Sequence, residues 1–203
     1  CSAAPGAHHA SPPPRPSALP VSLFGSRLAS GNDAAPPLHR YRDPMAEQSG
    51  RALFLNGTVG AGKTTTAEAI GDLLQQRGTP YAVIDLDWLR NAWPAPTDDP
   101  FILALERQNL AAVAANFRRA GARVLVLAGV IETRADRERY ERALDVLLTA
   151  CRLVVPIPRI RSRITARHPP GAERDWHLAR IGELDSILES TQLDDFVVRV
   201  DDD

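Results

Sequence analysis

The chain has 203 residues, 24 Lys+Arg against 25 Asp+Glu, five His and 44% hydrophobic residues, the size of one or two soluble domains. A net charge of −1 gives no global attraction to nucleic acid or anionic lipid, and no apolar run approaches the roughly 20 residues that span a bilayer. Neither nucleic acid nor membrane is therefore an expected partner. The two cysteines, Cys1 and Cys151, cannot build a disulfide framework, and their scarcity suits a reducing, cytoplasmic setting.

Composition breaks near residue 44. Residues 1–44 hold 9 of the 17 prolines, with Ala, Ser and Gly between them and no sustained apolar period, so a disordered extension is expected there. Met45, the only methionine, precedes the first patterned segment, which suggests that translation starts there and that one folded domain occupies residues 45–203. An N-terminal cysteine on a Pro-rich tether would also suit a processed lipoprotein, the less favoured alternative.

From Met45 onward short apolar runs alternate with longer helical patterns, which predicts a parallel sheet with crossover helices. Strands are expected at Ala52–Asn56, Tyr81–Asp85, Arg123–Ala128, Leu153–Ile157 and Phe196–Val200. Helices are expected at Lys63–Arg77, Pro100–Ala120, Ala135–Ala150, Pro158–Arg167 and Asp175–Ser190, the second opened by the capping cluster Thr97, Asp98 and Asp99. Gly78 and Gly121 stand where helices should stop. The pattern predicts an α/β fold of three layers, α/β/α, around a five-stranded parallel sheet.

Directly after the first strand the chain reads Gly57-Thr58-Val59-Gly60-Ala61-Gly62-Lys63-Thr64-Thr65, satisfying GxxxxGK[ST] in its required context of strand, loop and helix. Glycines let the backbone wind so that N–H groups face phosphate oxygens, and the following helix adds its positive end. Lys63 would reach the β and γ phosphates of ATP, and the Thr64 hydroxyl would ligate Mg²⁺. This composition yields the motif by chance only about 0.0004 times. Lys63 is also the sole lysine among 24 basic residues, standing where a compact ammonium suits phosphate better than a planar guanidinium.

The second strand ends in Asp85-Leu86-Asp87-Trp88-Leu89-Arg90. Carboxyl ends of strands line the ligand crevice of an open α/β sheet, so Asp85 and Asp87 should face the phosphate loop. Asp85 is assigned to the metal and Asp87 to the base that takes a proton from an attacking hydroxyl. The third strand is followed by Gly129 and Val130 rather than an acid, unlike motor-type P-loop proteins. Glu132 is the first carboxylate there and a reserve candidate for substrate binding.

The run Ala52–Thr66, the DLDWLR segment and ETRADRERY at Glu132–Tyr140 together resemble the adenylylsulfate kinase branch of the P-loop kinases. Chloramphenicol phosphotransferase and the gluconate and shikimate kinases look like looser relatives. The resemblance implies the P-loop NTPase fold in its nucleoside-kinase-like form, a substrate-binding role for Arg90 and another for Arg134, with Ala135, Asp136 and Arg137 continuing the match. Leu86 and Trp88 depart from the family's Asp-Gly-Asp-Asn pattern, and its lid motif is replaced by PRIRSRITARHPPG, so the transfer machinery matches better than the acceptor pocket.

Within that stretch Arg159, Arg163 and Arg167 recur every four residues on one helical face. An arginine-lined helix running into a loop is what a lid over about residues 158–176 requires, and Arg163 and Arg167 are the expected catalytic pair. Trp88 and Trp93 flank an acceptor-side loop; Trp176 and His177 open the next helix; Leu178, Ile181, Leu184 and Leu188 read as core. No closing helix follows the last strand, so one sheet face is expected to be covered by a second copy or to be open because the chain is shortened.

The expectation is thus an Mg-ATP-dependent kinase acting on a small-molecule hydroxyl, adenylylsulfate-kinase-like. The enzyme alternative is an antibiotic or nucleoside-type phosphotransferase, and the non-enzyme alternative a nucleotide-binding regulatory module.

Overall fold

The computed structural model of the protein describes residues 50–200; the expected extension at 1–44, the start at Met45 and the acidic end at 201–203 lie outside them. Five strands, β1 (Arg51–Asn56), β2 (Tyr81–Asp85), β3 (Val124–Ala128), β4 (Leu148–Val154) and β5 (Phe196–Arg199), form one parallel sheet in the order β2-β3-β1-β4-β5. The helices are α1 (Lys63–Gln76), α2 (Leu86–Leu89), α3 (Leu103–Arg119), α4 (Arg134–Leu144), α5 (Ile157–Arg167) and α6 (Ala172–Thr191).

Strand alternation divides the core. Ala52, Phe54, Ile84 and Leu127 face one way, onto Leu110 and Ala114 of α3 and Tyr140 and Leu144 of α4. Leu55, Val126, Cys151 and Leu153 face the other, onto Ala67 of α1, Ile160 and Ile164 of α5 and Ile181 of α6. Both faces of the inner strands are covered, as continuous apolar runs require, and the expected three-layer α/β/α architecture is present. Leu184 and Leu188 are buried as expected.

The fourth strand starts five residues earlier than the apolar run suggested and ends at Val154. Helix α4 ends at Leu144 because Asp145 takes a left-handed conformation at φ 53°, so Leu148–Ala150 belong to β4 and not to the helix expected to reach Ala150. Ile157, expected in the strand, instead starts α5 after Pro156. Helix α3 starts at Leu103 rather than Pro100, although the Asp99 carboxylate still accepts from Leu103 N at 2.9 Å and Ala104 N at 2.8 Å. Gly78 and Gly121 adopt positive φ just beyond α1 and α3, as expected. At the sheet edge all four residues of β5 are exposed, with Phe196, Val197 and Val198 each more than 40% accessible. Among the described residues no helix is long and apolar enough to cross a membrane.

Asn56, 1% exposed at the end of β1, ties this frame together. Its Oδ1 accepts from Gly57 N at 3.0 Å and Ile131 N at 3.1 Å, while its Nδ2 donates to Ile131 O at 3.3 Å and Asp194 Oδ1 at 3.1 Å. The phosphate-loop entry, the turn after β3 and the approach to β5 are thereby fixed to one amide. Arg137 does similar work lower down, donating to Leu148 O at 2.8 Å and to both Asp195 oxygens at 3.1 and 2.8 Å. Replacing Asn56 with Ala orphans several buried groups and is expected to cost about 2–4 kcal/mol in urea unfolding. A loss under about 0.5 kcal/mol would show that these bonds are dispensable.

Candidate active site

Between β1 and α1, residues 57–62 curl over the positive end of α1. Gly57 has φ +146°, and a Cβ there would come within 2.8 Å of Leu153 O, so only glycine admits the approach of the loop to β4. A Cβ on Gly60 would meet Ile160 Cγ2 and Ile164 Cδ1 at 3.2 Å each. Helix α5 therefore rests directly on the loop.

Lys63 Nζ donates to Gly57 O and Thr58 O, both at 3.0 Å, so the ammonium sits inside the loop curl. Burial pulls its pKa from 10.5 down to about 8, against the opposing pull of Asp87 and Asp85. The ammonium is therefore the main species at neutral pH, and its charge is lost as pH rises through about 8. Thr58, buried in the same loop, has a hydroxyl with no hydrogen-bond partner. Ala61 is buried beneath it, and Thr65 is exposed on the first turn of α1.

Thr64 Oγ1 donates to Asp85 Oδ2 at 2.7 Å. Asp85 Oδ1 also accepts from Asp87 N at 3.0 Å, capping the short helix α2 that the sequence pattern did not reveal. Asp87 pairs with Arg90 and is also the strongest charge raising the Lys63 pKa, ahead of Asp85. Asp87 thus stands between the loop ammonium and the arginine, while Asp85 holds the Thr64 hydroxyl.

Arg90 leads deeper. Its Nη1 lies 3.4 Å from Glu106 Oε2 on α3, and Tyr140 Oη of α4 donates to Glu106 Oε1 at 2.6 Å. Glu106 is 1% exposed; burial raises its pKa, with Tyr140 and Arg90 only partly offsetting. Burial works against the Arg90 cation, but Asp87 and Glu106 outweigh it and raise its pKa. Sequence reasoning missed Glu106 and Tyr140, since an acid and a tyrosine on amphipathic helices look like surface residues.

Beside Arg90 opens a cavity of about 300 Å³. Phe101, Leu103, Val130, Tyr140 and Trp176 supply its apolar and aromatic wall, while Glu132, Asp136, Arg180 and Glu183 supply charge. Of the expected substrate residues, Arg90 and the reserve Glu132 line it. Arg134 does not: it is exposed at the first position of α4. Arg180 of α6 takes the place facing the cavity, paired with Glu132 and, at 2.7 Å, with Glu183. Trp88 and Trp93 are 75% and 86% exposed and stand outside the lining; the aromatic that enters is Trp176.

Helix α5 is packed rather than free. Ile160 and Ile164 are at most 2% exposed, and Arg163 Nη1 donates to Gly60 O at 3.2 Å, over the phosphate loop. Arg167, one turn on, is exposed. Arg163 therefore joins Lys63, Thr64 and Asp85 at the loop, whereas Arg167 stands farther along the helix.

Because Lys63 is the only lysine, its ionisation can be followed cleanly. A chain labelled with ¹³C-lysine should show one Cε resonance titrating near pH 8 when folded and near the ordinary 10.5 in denaturant. A folded midpoint above 10 would remove the burial argument.

The zeta toxin family model matches residues 40–137, a little under half of the chain and including the phosphate loop, the Asp85–Arg90 segment and the start of α4. Among solved structures, a protein described as a fructose transport system kinase from Silicibacter sp. TM1040 aligns at 17% identity and a TM-score of 0.51, covering 77% of this chain and 92% of that one. APS kinase from Mycobacterium tuberculosis, solved with AMPPNP and APS, aligns at 21% identity and a TM-score of 0.49, covering 76% and 91%. The tunicamycin resistance protein of Deinococcus radiodurans aligns at 21% identity and a TM-score of 0.48, covering 75% and 86%. No curated protein matches the chain. The chain has the fold of the P-loop kinases, and its residues 40–137 are similar to the zeta toxin family.

Proposed function

We propose that the chain is an ATP-dependent kinase that transfers the γ-phosphoryl group to a hydroxyl of an uncharged small molecule. The observation that carries this reading is the run of contacts from the Thr64 hydroxyl to Asp85, from the Asp85 carboxylate to the backbone N–H of Asp87, and from the Asp87 side chain to Arg90, which lines the cavity. It joins a phosphate-binding loop to a pocket of acceptor size.

The residues fit a magnesium-bound triphosphate. The Thr64 hydroxyl and Asp85 carboxylate, 2.7 Å apart, are hard oxygen donors of the kind Mg²⁺ takes, directly or through water. When bound, Mg²⁺ would neutralise phosphate charge there. The ammonium of Lys63 and the guanidinium of Arg163 would hold the phosphoryl oxygens from two sides, with charge placed before the reaction rather than reorganised during it. Asp87 would accept the proton of the acceptor hydroxyl, and Arg90 would orient that carboxylate from the cavity side. Arg167 could add charge only if α5 shifted, and is assigned a smaller part.

The lining speaks to acceptor class. Arg180 is matched by Glu132 and Glu183, and Arg90 by Asp87 and Glu106. Asp136 adds a further carboxylate whose Oδ1 meets Arg139 at 3.0 Å. An anionic acceptor would have to displace these carboxylates, whereas hydroxyl groups can bond to them, and Trp176, Tyr140 and Phe101 offer ring faces. This favours a neutral cyclic alcohol, of sugar, nucleoside or antibiotic type, over adenylylsulfate. The adenylylsulfate reading retains the support of Arg90 at the cavity but loses Arg134.

Two measurements test this. Asp87→Asn should lower turnover about 10²–10⁴-fold with ATP affinity changed only a few-fold; normal turnover would remove Asp87 as the base. ADP release should rise with neutral cyclic alcohols and not with adenylylsulfate or sugar acids. A preference for the anions would reverse the acceptor assignment, and tight ATP binding with no acceptor-dependent release would favour a regulatory module.

A further inference from the structure

At the corner where α5 meets α6, His168 closes the end of α5, its backbone N–H donating to Ile164 O at 3.0 Å. Glu173 and His177 stand one turn apart near the start of α6. His168 Nδ1 is 3.3 Å from Glu173 Oε1, and His177 Nε2 is 3.9 Å from the same oxygen. One donor atom from each of the three residues lies within 4.8 Å of the others, and the two imidazole rings are tilted toward each other with centroids 4.8 Å apart.

Ordinary packing does not account for this arrangement. His168 Nδ1 is paired with Glu173 only at 3.3 Å, and His177 makes no hydrogen bond: its Nδ1 is buried with no partner and its Nε2 is too far from Glu173. Two imidazoles sharing one carboxylate are poorly served by protons, since the doubly charged pair would repel at this distance. A single cation between His168 Nδ1, Glu173 Oε1 and His177 Nε2 would give each of these three facing atoms a partner.

We propose that His168, Glu173 and His177 form a binding site for a zinc-class divalent ion. Around a tetrahedral ion with bonds of about 2.0–2.2 Å, donors stand roughly 3.3–3.5 Å apart. The His168–Glu173 pair already has that spacing, whereas His177, 3.9 Å from the Glu173 oxygen in a set spread over up to 4.8 Å, would have to close on both partners as the ion binds. Two imidazoles and a carboxylate select zinc, or cobalt in its place, over magnesium, which takes oxygen ligands. Three protein donors leave the fourth position to water. All three side chains are partly exposed, so the ion can enter.

The location gives the ion a consequence distinct from the Mg²⁺ expected at Thr64. Helix α5 carries Arg163 over the phosphate loop, and α6 carries Trp176 and Arg180 into the acceptor cavity. An ion clamping their junction fixes the angle between these two walls. Arg167 and Asp87 are the other charged groups acting on His177, and they oppose each other in sign.

The test uses the full chain stripped with chelator and titrated with Co²⁺ and then Zn²⁺. One equivalent of Co²⁺ should give the visible d–d absorption of a four-coordinate site, bleached by one equivalent of Zn²⁺. His177→Ala and Glu173→Gln should each weaken Zn²⁺ binding by at least about 100-fold, more than loss of an outer-shell partner costs. Circular dichroism of the metal-free variants confirms that they remain folded, and His168→Asn serves if either does not. The chain's other histidines, His8, His9 and His39, lie outside the described residues, and replacing all three with Ala should leave the spectrum unchanged. A spectrum that persists in H177A, or that vanishes in the triple replacement, would overturn the site.

Discussion

Gly57 passes so close to the Leu153 carbonyl that any side chain would strike it at 2.8 Å, and much of the molecule follows from that contact. The loop is backed by β4, whose Arg152 pairs with Asn56 at the end of β1, while the Asn56 side chain fixes the loop entry to the turn after β3. Helix α5 then settles on Gly60 through Ile160 and Ile164. A phosphate-binding turn is therefore not a local motif here but a product of three elements far apart in sequence.

Electrostatics divides the site into two regimes. At the loop the positive groups, Lys63 and Arg163, are bonded to backbone carbonyls, partners that a phosphate readily displaces because they carry no net charge. At the cavity Arg90 and Arg180 face carboxylates, a far stronger commitment in a partly buried place. Free positive charge is thus concentrated where a triphosphate would lie and cancelled where the acceptor would lie. The chain's use of arginine everywhere except residue 63 fits that division, since guanidinium forms fixed paired contacts and ammonium a movable point charge.

The phosphate loop was readable because its chemistry demands particular residues at particular spacings, and β1, β2, β3 and β5 were found within a residue because they are short apolar runs bounded by turn residues. β4 was misplaced for a physical reason. Helix α4 stops at Asp145, which enters the left-handed region without glycine to announce it, and Leu148–Ala150 continue a helical spacing on paper. The acceptor side was less legible still. Arg134 was chosen by family resemblance and is exposed, whereas Arg180, Glu106 and Tyr140 reach the site from helices distant in sequence, and their pattern resembles any amphipathic surface. The one-turn helix α2, capped by Asp85, is too short to leave a periodic signal, yet it separates the two aspartates into different roles.

The strand order carries a consequence for biosynthesis. β1 is central, but neither of its neighbours is the next strand in the chain: β3 begins at Val124 and β4 at Leu148. As the polypeptide leaves the ribosome, the apolar run Ala52–Leu55 must wait for some seventy residues before its first hydrogen-bonding partner is made. Such non-local pairing is slow and leaves sticky segments uncovered in the interval. The loop after β1 gains the backing of β4 and α5 only about a hundred residues later, when Leu153, Ile160 and Ile164 have been made.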